Sequence, residues 1–252
     1  MNDYQSLEAL LHDPFWAAEG EAVELGFMEN VLKEHPGRSL EIGCGSGRLL
    51  LPLLQKGFEV EGLELSEEML RLCKEAAATL NLVPVLHHGD MTAFVPEERY
   101  DSVLVPAFTL QLSEDAVATL RAFHWQLKEG GVLYLSVFRP QAELLKELPE
   151  NEWYDDHGIE LADGRKASLR TRHRLDRKQR ILFREHHYTL EGQEGVQEHR
   201  SEQTVRWFTP RQLSGMLMKT GFEVLNAMAD FDPELPVDDD SQIVTLLARR
   251  AG

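Results

Sequence analysis

The chain has 252 residues, with 26 lysines and arginines against 43 aspartates and glutamates, so its formal charge is -17. That deficit argues against a nucleic-acid partner, because phosphate contacts need surplus cations. Two cysteines, Cys44 and Cys73, are too few for a disulfide framework and point to a reducing compartment. The longest apolar run, residues 49–54, is broken by Pro52, which excludes a membrane span. No basic-then-apolar stretch opens the chain, so a cytoplasmic protein without a secretion signal is expected. The length and the 42% hydrophobic content suit one large domain, or one domain carrying an insertion.

In chain order, residues 1–35 read as helical, with Val23, Phe27, Val31 and Leu32 at near-helical spacing before Pro36-Gly37. Strands are expected near 38–42, 58–64, 83–88, 101–107 and 132–138, and helices near 47–56, 66–80 and 113–128. This interleaving predicts βαβ crossovers and a mainly parallel sheet covered on both faces. Ser66 and Ser113, each followed by acids, are the expected helix caps, and Gly130-Gly131 stands where the third helix should end. From about residue 150 the rhythm changes. Segments 167–176, 180–191 and 196–208 lack a helical period and read as an antiparallel meander inserted into the main fold. Thr209-Pro210 then opens a helix that Gly221 ends, and strands near 222–230 and 242–249 close the chain.

The most informative stretch is Ser39-Leu40-Glu41-Ile42-Gly43-Cys44-Gly45-Ser46-Gly47-Arg48, an apolar strand running into alternating glycines and then a helix. Such glycines let the backbone turn sharply and let a ligand approach it closely. A dinucleotide fingerprint would place its third glycine at Arg48. Glu41 at the strand end would also repel a pyrophosphate, whereas it suits an ammonium or sulfonium group. A nicotinamide oxidoreductase is disfavoured on both counts. Glu64 lies 21 residues beyond Gly43 at the end of the second strand, where a carboxylate can accept both hydroxyls of a ribose. At the end of the third strand, Asp90 can accept from an exocyclic amine and Met91 can pack on an aromatic base.

Glu41-x-Gly43-x-Gly45-x-Gly47, Glu64, Gly89-Asp90 and Tyr100-Asp101 together resemble the successive motifs of the class I S-adenosylmethionine-dependent methyltransferases. The resemblance covers roughly residues 20–140, and residues 207–249 are similar to that family's last helix and hairpin. It implies an α/β fold with a doubly wound, mainly parallel, seven-stranded sheet whose final strand is antiparallel. It also implies S-adenosylmethionine as cofactor. The loop Gly43, Cys44, Gly45 and Gly47 would lie beside the methionine moiety, Glu41 near its amino group, and Glu64 on the ribose. Asp90 and Met91 would meet the adenine, Pro106 and Ala107 would line the methyl-donating end, and Leu65 and Met69 would complete the cofactor-binding set. Residues 105–108, Val-Pro-Ala-Phe, lack the Asn-Pro-Pro-Tyr type of motif, and no Pro-Cys pair follows the fourth strand. Within the family, the meander resembles the insertion of small-molecule N- or O-methyltransferases, including those acting on amino sugars and glycine-like amines.

Residues 1–150 and 208–252 are therefore expected to form the cofactor-binding domain, with 151–207 as a β insertion that covers substrate or makes a homodimer contact. Between Arg165 and His187 nine cations face two acids, Asp176 and Glu185, the one charge reversal in an acidic chain. Such a strip can hold a carboxylate or phosphate of the substrate, or pair with acids on neighbouring strands. Of His186 and His187, one should face inward and one outward; no catalytic base is assigned. No histidine or cysteine spacing suits a metal site. Phe15 and Trp16 could cap the cofactor or anchor the first helix. The expected function is methyl transfer from S-adenosylmethionine to a nitrogen or oxygen of a small molecule. The alternative is a non-catalytic cofactor-binding module acting through a protein partner.

Overall fold

A computed structural model describes residues 4–20 and 22–252. In chain order the elements are α1 (Ser6–Ala18), α2 (Val23–Glu34), β1 (Ser39–Ile42), α3 (Leu50–Gln55), β2 (Val60–Glu64), α4 (Glu67–Thr79), β3 (Leu86–His88) and β4 (Tyr100–Val105). A 3-10 turn (Thr109–Leu112), α5 (Ala116–Gln126) and β5 (Leu127–Phe138) follow. Then come α6 (Gln141–Leu144), β6 (Tyr154–Glu160), β7 (Lys166–Asp176), β8 (Ile181–Gly192) and β9 (Gly195–Arg206). The chain ends with α7 (Pro210–Lys219), β10 (Phe222–Ala229) and β11 (Ile243–Arg250).

The described residues divide into two compact units, residues 22–139 with 208–252, and residues 4–20 with 140–207. The first holds a seven-stranded sheet in the order β10-β11-β5-β4-β1-β2-β3, with β11 antiparallel to both neighbours and the other pairs parallel. This is the doubly wound, mainly parallel sheet the sequence predicts. Alternation along the strands explains why both faces are covered. Val103 and Val105 of β4 pack with Leu120 and Phe123 of α5 and Leu213 and Leu217 of α7. Leu104, between them, packs on the opposite face with Met28 of α2, Leu50 of α3 and Cys73 of α4. Because β1 to β4 all run the same way, their carboxyl ends share one edge. The order reverses between β1 and β4, the position where open α/β sheets bind ligands.

The second unit is a four-stranded antiparallel sheet, β6-β7-β8-β9, that comes between β5 and α7 in the chain. Leu7, Leu11 and Phe15 of α1 pack with Leu169 of β7 and Tyr188 and Leu190 of β8. Phe15 thus belongs to the core of this unit, and residues before 20 group with the meander rather than with the parallel sheet. The unit also starts at Pro140, ten residues before the boundary expected at 150. β6 was not anticipated: Tyr154-Asp155-Asp156-His157 is too polar to read as a strand, and its place at the sheet edge explains why it need not be apolar.

Two local expectations are corrected. Gly130-Gly131 does not end α5, which stops at Gln126 with Leu127 already extended. The glycines absorb a bulge instead, since Tyr100 pairs with Leu127 but Ser102 pairs with Val132. Gly130 takes φ +74°, and a Cβ at Gly131 would lie 3.0 Å from the Asp101 and Lys128 carbonyl oxygens. The α5 cap is Asp115, whose side chain accepts the Ala118 N–H, while Ser113 bonds Thr119. Ser66 caps α4 as expected, and Thr209 and Gln212 form a capping box on α7 with Pro210 in its first turn. Among the described residues no helix is long and apolar enough to cross a membrane, and no group of residues is arranged to hold a metal ion.

Candidate active site

The glycine loop leaves β1 in left-handed backbone, with φ +69° at Gly43, +55° at Gly45 and +90° at Gly47. The Gly43 and Cys44 N–H groups both donate to the Leu63 carbonyl of β2, which ties the loop to the neighbouring strand. A Cβ on Gly43 would lie 2.8 Å from Thr109 Cγ2, so the segment after β4 closes directly on this loop. At Gly45 the nearest atom would be Met69 Cε, 3.2 Å away, and Gly47 abuts Leu51 and Cys73. Cys44 and Met69 are buried beside the loop; Leu65 is half-buried, and its carbonyl accepts from His88 Nε2.

Glu64 ends β2 with its side chain 9% exposed. Its Oε2 accepts the Gly45 N–H at 3.0 Å and its Oε1 accepts the Ser66 N–H at 2.8 Å. A carboxylate has about four lone-pair positions, so this anchoring leaves each oxygen able to accept a further hydrogen bond. Asp90 lies at the end of β3, where Oδ1 accepts from the Thr92 N–H and hydroxyl at 2.7 Å each. Met91, expected to pack on the adenine, is instead 4% exposed and lies in the core cluster with Leu40, Ile42 and Leu63.

Glu41 is the electrostatic centre of this edge. Leu40 and Ile42 enter the core on one face, so Glu41 projects from the other, 2% exposed, and its Oε2 has no hydrogen-bond partner among the described residues. Burial pushes its carboxyl up to about 8; Arg48 opposes the shift, while Glu24 and Glu64 add to it. An orphaned buried carboxylate oxygen beside left-handed glycines fits a ligand that brings a positive charge.

Glu24 on α2 is a buried acid that sequence reasoning missed, because an acid in a first helical turn reads as a dipole complement. It bridges three elements: its Oε1 accepts from the Ser136 hydroxyl at 2.5 Å and the Tyr134 hydroxyl at 3.2 Å, and its Oε2 accepts the Ala107 N–H at 3.0 Å. Burial raises its pKa, and hydrogen bonds from Ser136, Ala107 and Tyr134 offset part of the rise. The Ala107 bond matters because Ala107 and Phe108 take φ +50° and +64°, costly for residues with a Cβ. Thr109 Oγ1 donates to the Pro106 carbonyl at 2.7 Å and fixes the other side of the turn.

Residues 40–131 match the family model described as a methyltransferase domain. Residues 40–131 thus carry a methyltransferase domain. A dTDP-3-amino-3,6-dideoxy-alpha-D-glucopyranose N,N-dimethyltransferase of Streptomyces fradiae is 33% identical over 106 residues, 40% of each chain. The chain spans about two fifths of the length of several curated relatives it matches. Among solved structures, the CcbJ methyltransferase of Streptomyces caelestis is 25% identical with a TM-score of 0.76, covering 97% of this chain and 96% of that one. A S-adenosylmethionine-dependent methyltransferase of Clostridium acetobutylicum shares the fold, with 17% identity, a TM-score of 0.81, and 97% and 98% of the two chains covered.

The methyltransferase domain's match ends before the inserted sheet, so the basic strip is judged on its own contacts. Five of its nine cations pair with acids: Arg165 with Asp163, Arg170 with Asp155, Arg172 with Glu185, Arg177 with Glu150 and Arg184 with Glu143. Arg174 lies over the Phe183 ring. More than half of the strip is therefore neutralised within its own unit rather than held open as an anion wall. His186 faces inward, buried, as one of the pair was expected to; His187 is half-buried.

Proposed function

We propose that the protein transfers a methyl group from S-adenosylmethionine to a nitrogen or oxygen of a small molecule. The carrying observation is Glu41: a buried carboxylate with an unpartnered oxygen, at the carboxyl end of β1 and against a glycine loop, suits an ammonium and repels a pyrophosphate. Residues 22–139 with 208–252 would hold the cofactor. Glu41 would receive its amino group, Gly43, Cys44, Gly45 and Gly47 would admit its methionine end, and Glu64 would take the ribose hydroxyls. Leu65, Met69 and Asp90 would border the nucleoside, and Pro106 and Ala107 the reactive end.

When bound, S-adenosylmethionine supplies a methyl group that its sulfonium already makes electrophilic. The chain's own residues then act by orientation. The strained turn at Ala107 and Phe108, locked by Glu24 and Thr109, fixes the wall beside the acceptor, and in-line positioning can supply several kcal/mol without a strong base. The Streptomyces fradiae relative's name, an amino-sugar N,N-dimethyltransferase, supports a small amine as acceptor.

The test is a calorimetric titration of the full chain with S-adenosylmethionine, repeated on Glu64→Ala and Gly45→Val, followed by incubation with methyl-labelled cofactor and a panel of small amines and alcohols. Saturable binding lost in both variants, with label transferred to a panel member, is the expected result. Absence of binding at millimolar cofactor would overturn the reading. Binding with no transfer to any acceptor, and loss of a protein partner on charge reversal at Arg170, Arg172 and Arg174, would favour a non-catalytic cofactor-binding module.

A further inference from the structure

The second unit carries an open cavity of about 320 Å³, lined by one face of α1, by α6, and by the first strands of the sheet. Its size falls in the range of small-molecule pockets. Helical spacing places Glu8, His12 and Phe15 along one side of α1, with Glu19 at its C-cap, and strand alternation brings Arg184, His186 and Tyr188 to one face of β8.

The polar lining is unbalanced. Arg184 is engaged with Glu143 at 2.6 Å. Among the described residues no lysine or arginine pairs with the other lining carboxylates, Glu8, Glu19 and Asp156. Glu19 and Asp156 sit against His157, 3.5 and 3.7 Å away. Glu8 is the deepest of the three, only 3% exposed, yet among the described residues its carboxylate accepts one hydrogen bond, a long one from the Tyr188 hydroxyl at 3.4 Å. His186 Nδ1 stands 4.0 Å from it. A buried carboxylate is stable when donors fill its lone pairs or a cation faces it, and this one is short of both. Burial, reinforced by Glu8, raises the Tyr188 pKa, so its hydroxyl remains a donor rather than a second anion.

The rest of the wall is aromatic, with Tyr4, Phe15, Trp16, Tyr154 and Tyr188 around the acids. Ring faces attract organic cations, and carboxylates among rings favour an ammonium carried on an apolar body over a small hydrated ion. We infer that this cavity binds an organic ammonium, with Glu8 as its charge partner and the α1 and β8 aromatics around its substituents. The inference stands on the cavity's own residues and does not depend on the methyl-transfer reading.

The test is titration of the full chain with benzyltrimethylammonium, with benzoate and benzyl alcohol as anionic and neutral counterparts of similar shape. The expected result is saturable binding of the ammonium alone, weakened about tenfold or more by Glu8→Gln and left unchanged by Glu29→Gln on α2. Ammonium binding no tighter than benzoate or benzyl alcohol in the unsubstituted chain would overturn the inference, and that comparison stands even where Glu8→Gln fails to fold. Unchanged affinity in a folded Glu8→Gln would overturn it too. A parallel titration with S-adenosylmethionine keeps the two readings apart: cofactor binding without ammonium binding defeats this inference alone, and the converse defeats only the methyl-transfer reading.

Discussion

Glu64 holds the glycine loop from the next strand: its Oε2 accepts the Gly45 N–H at 3.0 Å, while its other oxygen accepts the Ser66 N–H that opens α4. One carboxylate thus sets the shape of the loop and the start of the following helix. Glu64→Gln keeps the volume but turns an NH2 group toward one of these two donors. The expected outcome is a loss of about 1–3 kcal/mol of stability and a weakening of S-adenosylmethionine binding beyond what the stability loss explains. Denaturant unfolding paired with calorimetric titration checks both, and full cofactor affinity in the variant would remove Glu64 from the site.

Two glycines with nearly the same backbone separate strain from crowding. Gly47 has φ +90°, and its added Cβ would meet Leu51 Cγ at 2.7 Å and Cys73 Sγ at 2.8 Å; Gly57 has φ +85° and nothing within 4 Å. Gly57→Ala should cost only the left-handed penalty, about 1–2 kcal/mol. Gly47→Ala should add overpacking and reach about 2–5 kcal/mol. Equal unfolding midpoints for the two variants would show that the loop relaxes freely around the added carbon.

The positions of the loop and its acids were legible in the sequence because they depend on local order: alternating glycines after an apolar strand, and acids at the ends of the next two strands. Glu24 was not, since its partners Ala107, Tyr134 and Ser136 lie more than 80 residues away and nothing in α2 announces them. Gly130-Gly131 was misread for a related reason. A glycine pair looks the same at a helix end and in a bulge, and only the register of β4 against β5 distinguishes them. Met91 shows the limit of residue type as a guide, because a thioether that can stack on a base also fills a core. The grouping of α1 with the meander follows from contacts made across more than 150 residues, between Leu7, Leu11 and Phe15 and strands β7 and β8.

Gln111 is wholly buried and closes a two-way bridge, its Nε2 donating to the Phe138 carbonyl at 2.9 Å and its Oε1 accepting the Phe138 N–H at 2.7 Å. The bridge ties the turn after β4 to the end of β5. Gln111→Leu would leave both backbone groups unsatisfied, at a cost of about 2–4 kcal/mol. Loss of hydrogen-exchange protection at Phe138, with the amides of β1 and β2 unaffected, is the expected signature. Protection unchanged at Phe138 would mean that the strand end is held by other contacts.

Glu41 should make both stability and cofactor binding depend on pH. Its carboxyl is raised to about 8 in the folded chain, chiefly by burial, from an ordinary value of 4.5. Between those two values the folded state holds a proton that the unfolded state has released. Stability from this group is therefore greatest at the acid end of that window and falls as the pH rises through it. Glu41→Gln should flatten that slope and exceed the unsubstituted chain in stability near pH 8, by an amount on the order of a few kcal/mol. Binding should move the opposite way. An incoming ammonium favours the ionised carboxylate, so S-adenosylmethionine should displace up to about one proton at neutral pH and bind more tightly as the pH rises toward 8. Titrations in buffers of differing ionisation enthalpy count that proton directly. Glu41→Gln should release none and bind the cofactor more weakly; proton release persisting in the variant would assign the linkage to another group.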